Sequence, residues 1–126
     1  MKNVVSTPKF EEDVEFYKRK KKYRKIDYDL EPVLIELENG NLLGDKLQDL
    51  DIPEGTAVYK VRIANSFANV GKSNGFRLLY YVVIEDKIYL LTIYSKKDDI
   101  RVISDEQIEL LIRNIPIDEN ANETSN

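Results

Sequence analysis

The sequence predicts an α+β fold: a small, mostly antiparallel sheet with helices packed on one face, in the order β-α-α-β-β-β-α. Three observations predict it. Two apolar stripes at helical spacing fill the first forty residues, three β-rich runs crowd residues 57–95, and one short amphipathic segment follows near residue 110. A chain of 126 residues, 42% of them hydrophobic, suits one packed core. The expected organisation is a single domain over residues 1–116, then an acidic, frayed tail over 117–126.

Residues 3–7 are short and β-branched, a first strand. Thr7 is an N-cap with Pro8 at the first helical position. Phe10, Val14 and Tyr17 follow at i, i+4 and i+7, and the helix is expected to run on into the basic segment 18–25. That segment reads as the solvated end of a helix, its cations near the negative pole, with a nucleic-acid patch as the alternative.

A second helix starts near Lys25, on Ile26, Leu30, Val33, Leu34 and Leu37, with Pro32 inside it as a kink or restart. Gly40 suits a left-handed stop. Residues 41–56 read as a connection with apolar anchors. The runs 57–64, 76–85 and 87–95 read as strands, the last two joined by a tight hairpin and the first two by a polar, mobile loop. Ser104 with Gln107 forms a capping box before Ile108, Leu111 and Ile112.

Composition narrows the chemistry. The chain has no Cys, so disulfides and thiolate metal sites are excluded, and this fits the cytoplasm. It has no His, so acid–base work falls to Asp, Glu, Lys, Tyr or Arg. No run is apolar and long enough to span a bilayer, and no signal-like apolar stretch opens the sequence. The acidic pairs lack metal-ligand spacing. The segment GKSNG lacks a full phosphate-loop pattern and a following helix, so no triphosphate site is expected.

The formal net charge is −4, yet residues 58–97 carry seven cations against Glu85 and Asp86, a net of +5. Strand parity places Lys60 with Arg62 on one face, Arg77 with Tyr81 on one face, and Thr92, Tyr94 and Lys96 on one face. Lys72 comes from the loop and Lys97 follows the last strand. Alternating cations on a strand ordinarily mark a solvated sheet face. The same set also suits RNA: Arg forks pair phosphate oxygens, aromatic rings stack on bases, and clustered cations stabilise a phosphorane-like transition state. RNA carries its own nucleophile in the 2′-OH, so neither metal nor His is required.

The ordered set YKVRIA, NGFRLLYYV and KIYLLTIYSKKDD, preceded by two helices, resembles the RelE/HigB toxins of bacterial type II toxin–antitoxin systems, closest to the HigB-like branch, over residues 2–115. The resemblance implies a ribosome-dependent messenger-RNA endonuclease that works in the ribosomal A site without metal or cofactor. It implies inhibition by a cognate antitoxin, expected to be of helix-turn-helix type. It assigns catalysis to Lys60, Arg62, Arg77, Tyr94 and Lys96, and RNA binding to Lys72, Tyr81 and Lys97. Some relatives have a functional Tyr shortly after the last strand, where this chain has Ile103. A ParE-like gyrase inhibitor and a non-catalytic protein that only pairs with an antitoxin are the alternatives.

Overall fold

The computed structural model describes residues 1–83 and 86–116. The expected acidic tail and the hairpin residues 84 and 85 lie outside the described residues. The chain forms β1 (Asn3–Ser6), α1 (Pro8–Arg19), α2 (Ile26–Glu38), β2 (Asp45–Lys46), β3 (Ala57–Ile63), β4 (Phe76–Val83), β5 (Lys87–Ser95) and α3 (Asp105–Arg113). The class is α+β, as the sequence predicts, with one five-stranded mixed sheet in the order β1-β5-β4-β3-β2. Every pairing is antiparallel except β1 with β5.

Local signals set the element ends. The Thr7 hydroxyl accepts from the Phe10 N–H, and Pro8 opens α1. Ser104 and Gln107 close a reciprocal capping box on α3. Gly40 takes a φ of 89°, the left-handed stop expected after α2. Pro32 lies inside α2, which runs on past it. Helix α1 ends at Arg19, earlier than the basic segment suggested, because Lys22 turns left-handed at a φ of 60°.

The expectation of helices on one face is corrected. Helices α1 and α2 pack Phe10, Val14, Tyr17, Ile26, Leu30 and Leu37 against one side of the sheet, over Ile63, Phe76, Leu78 and Ile93. Helix α3 packs Ile108 and Ile112 on the other side, over Val58, Leu79, Tyr81 and Leu91. Leu47, Leu50 and Ile52 from the long connection join that second layer. Both faces therefore carry apolar residues on the central strands, at about 1.5–3 kcal/mol for each large side chain fully buried.

The edge of the sheet is closed in two ways. β1 covers β5 from Lys87 to Leu90. Beyond it, α1 lies along the edge and its side chains replace a strand. Asp13 accepts from the Ile93 N–H at 3.3 Å, and the Tyr17 hydroxyl accepts from the Ser95 N–H at 2.8 Å. Asp13 is only 1% exposed, and it also takes Lys9 at 3.0 Å, Arg101 at 2.9 Å and the Thr92 hydroxyl.

A register shift between Leu79 and Tyr80 leaves Leu91 as the extra residue of β5. The strict alternation expected for 91–96 therefore fails. Leu91 and Tyr94 share one core layer, while Thr92 bonds Asp13 of α1. No helix among the described residues is long and apolar enough to cross a membrane.

Candidate nucleic-acid interface

Three side chains form a row across one end of the sheet, with Tyr94 packed in the layer that α3 covers. Arg62 of β3 stands opposite Arg77 of β4, and Arg77 stands opposite Tyr94 of β5. Cross-strand neighbours stand about 5 Å apart at Cβ. Arg62 is exposed and Arg77 is 7% exposed. Lys60 lies two residues from Arg62 on the same face, half-buried, with Asp45 opposite it in β2.

Arg77 is held by the loop that precedes its own strand. Its two terminal nitrogens donate to the carbonyl oxygens of Lys72 and Ser73, each at 3.1 Å. Residues Lys72–Asn74 form a single 3₁₀ turn, and Asn65 pairs with Val70 in a small bridge. The loop expected to be mobile is thus tied down at both ends. Gly75 ends it in a close approach, since a Cβ there would stand 2.1 Å from the Ile63 carbonyl oxygen. The Gly75 carbonyl accepts from the Lys96 N–H at 2.9 Å, which brings Lys96 beside the same loop.

Lys72 and Arg62 share a groove of about 580 Å³ beside β3, whose opposite wall is α2 with Asp29, Glu31 and Glu36. Lys96 and Lys97 are exposed just past β5. Arg62, Arg77, Tyr94, Lys72 and Lys96 therefore gather at one end of the sheet, with Lys60 behind them and Lys97 at the rim.

Tyr81 does not join them. It is 5% exposed, lies opposite Val58, and packs near Tyr89 under α3. Four residues along a strand separate it from Arg77 by about 13 Å. That position, in the layer under α3 that also holds Tyr94, lends no support to the assignment of Tyr81 to RNA contact. Ile103 packs against the same layer.

Tyr94 is mostly buried, and burial raises its pKa although the Arg77 charge opposes the shift. Its hydroxyl is accordingly protonated at neutral pH, fit to donate a hydrogen bond. The row as a whole offers two guanidiniums and a phenol at one sheet end. That suits a phosphate with an oxygen to be protonated or stabilised.

Two groups near this end escaped sequence reasoning. The Tyr17 hydroxyl donates to Asp98 at 2.9 Å while it takes the Ser95 N–H, so it fixes the start of the segment bearing Lys96 and Lys97. Burial pushes its pKa well above the ordinary phenol range. Asp13 is the other. Its signal was present, because it falls at i+3 from Phe10 within the apolar stripe, and a charge on a buried stripe demands partners.

No family model matches this chain, and no curated protein matches it either.

Proposed function

We propose that the chain is a RelE/HigB-like toxin, a ribosome-dependent endonuclease that cleaves messenger RNA and is held in check by a helix-turn-helix-type antitoxin. The observation that carries this reading is the Arg62–Arg77–Tyr94 row, with Lys72 and Lys96 beside it, in a chain that lacks His and Cys. The protein would work in the ribosomal A site, and therefore in the cytoplasm.

The reaction needs no group beyond the RNA and these side chains. The 2′-oxygen attacks the adjacent phosphorus and loses its proton, with Lys60 or Lys96 assisting that transfer. Arg62 and Arg77 balance the negative charge that grows on the non-bridging oxygens. The bond to the 5′-oxygen breaks as Tyr94 gives that leaving oxygen its proton, and the proton released from the 2′-OH restores the phenol. The products are a 2′,3′-cyclic phosphate and a 5′-hydroxyl. Arg77 commits two of its five N–H donors to the loop and keeps the rest for phosphate.

The same two bonds favour a second reading, a protein of this fold that binds RNA or an antitoxin without cleaving. In it, Arg77 is a loop anchor alone. Brief induction followed by mapping of messenger-RNA 5′ ends separates the readings. The proposal expects new ends within translated regions, dependent on ribosomes and lost in Arg62→Ala. Intact messages with growth arrest point to gyrase inhibition, and intact messages without arrest to the non-catalytic reading.

A further inference from the structure

The segment between α1 and α2 carries five cations in six residues, Lys20 to Lys25, around a single aromatic, Tyr23. The fold brings it to the same end of the sheet as the Arg62–Arg77 row. Tyr17, at the last turn of α1, reaches Ser95 and Asp98, and Tyr23 lies edge-on to Phe76, the first residue of β4, at 6.0 Å.

The segment is anchored, and only its aromatic faces inward. The Tyr23 N–H donates to the Tyr17 carbonyl at 2.8 Å, and the two rings stack at 6.0 Å and 4°. Lys22 turns the chain with its φ of 60°. Lys20, Lys22, Arg24 and Lys25 are exposed, and none makes an ion pair among the described residues. Phe67, from the loop that clasps Arg77, stands 6.4 Å from Tyr23 and is 45% exposed. One loop therefore touches both basic groups: Ser66 bonds Asp29 of α2 next to Phe67, and Lys72 and Ser73 hold Arg77.

Unpaired, pre-positioned cations around an exposed ring are what a single strand of nucleic acid uses: phosphates along the charges, a base on the ring. We infer that Lys20, Lys22, Arg24 and Lys25, with Phe67, form a second RNA-backbone surface. It wraps the end of the sheet and is joined to the Arg62–Arg77 row by the loop 64–75. The inference rests on the proposal that this end of the protein meets RNA. It adds a second binding surface to that proposal and assigns the basic segment away from a merely solvated helix end. The RNA backbone in question belongs either to a message or to the ribosome.

The test uses the full chain and two probes, a fluorescein-labelled 20-nucleotide oligouridine and purified 70S ribosomes. The variant is Lys20→Gln, Lys22→Gln, Arg24→Gln and Lys25→Gln combined, with thermal unfolding as the control for its fold. Binding should weaken at least tenfold at low salt. On the single strand, the slope of log affinity against log salt should flatten by about 0.7 for each phosphate that the variant no longer neutralises. Weakening with oligouridine alone assigns the surface to the message, and weakening with ribosomes alone to ribosomal RNA.

Phe67→Ala supplies an independent answer if the combined variant folds poorly. It should weaken oligouridine several-fold and leave an abasic strand of equal length unchanged, and an equal effect on both strands would remove Phe67 from the surface. If the wild type binds a probe and the combined variant binds it with the same affinity and slope, the second surface does not exist, though the RNA reading stands. If the wild type binds neither probe, both fall.

Discussion

Arg62 and Arg77 face each other across the β3–β4 ladder, two guanidiniums in one cross-strand pair. Like charges directly opposite are destabilising, by about 0.2–1 kcal/mol. The pair persists because the loop carbonyls of Lys72 and Ser73 partly neutralise Arg77, while Arg62 stays in water. Such a pair is costly in the free protein, and an anion placed between the two would offset that cost.

The first prediction follows from that cost. Arg62→Ala should leave the fold unchanged or stabilise it by up to about 1 kcal/mol, while it abolishes messenger-RNA cleavage. Urea unfolding and end-mapping of messages, run on one preparation, read both quantities. A variant that loses stability and keeps cleavage would contradict the assignment.

Arg77 should respond differently, since its guanidinium holds the loop. Hydrogen bonds from a charged group contribute about 1.5–3 kcal/mol. Arg77→Lys keeps the charge but loses the fork that spans two carbonyls. Its expected signature is faster hydrogen exchange at residues 72–75 and reduced cleavage, with the β3–β4 pairing otherwise retained. Exchange at those amides indistinguishable from wild type would show that the loop needs no clasp.

The contrast between these two arginines marks what the sequence could convey. Parity alone put Arg62 on an open face and Arg77 beside it, and caps at Thr7 and Ser104 fixed helix starts, because both signals are local. The side on which α3 packs is not local: its apolar stripe is equally suited to either face of the sheet. That one choice buried Tyr81 and Tyr94 in the same layer, Tyr81 four residues along β4 from Arg77 and Tyr94 opposite Arg77. The bulge at Leu91 defeated alternation along β5, since nothing in a Leu-Leu-Thr run announces an extra residue. β2 has only Asp45 and Lys46, too few to show a period, and exists because β3 offers it an edge. The clasp of Arg77 depends on backbone carbonyls, which carry no residue-type signature at all.

Asp13 provides a test of the closed edge. It sits under Lys9 and Arg101 and accepts from Thr92 and the Ile93 N–H. Its removal leaves a half-buried guanidinium and a strand N–H without their acceptor. Breaking a buried charge pair costs about 3–5 kcal/mol. Asp13→Ala should lose stability of that order in urea unfolding, and Asp13→Asn less, because the amide oxygen still accepts from Ile93. A loss below about 1 kcal/mol in Asp13→Ala would mean that the edge is held chiefly by Tyr17 and β1.

Tyr80 gives a pH signature with a defined sign. Its hydroxyl both donates to the Leu43 carbonyl and accepts from the Leu43 N–H at 2.7 Å, which pins the start of the long connection to the sheet. Burial is the main cause that pushes its pKa up, to about 12. The unfolded phenol ionises near 10, so between those values the unfolded chain releases a proton that the folded chain keeps. Stability from this group is therefore full below pH 10 and is lost as pH rises towards 12. Tyr17 and Tyr94 shift in the same direction and add to the fall. Tyr80→Phe should be less stable than wild type at pH 8 by about 1 kcal/mol, the net value of one buried hydrogen bond. Above pH 10 the difference should narrow, because the variant no longer carries that phenol. Parallel stability curves for the two proteins between pH 9 and 12 would show that the Tyr80 hydroxyl ionises as freely in the folded state as in the unfolded one.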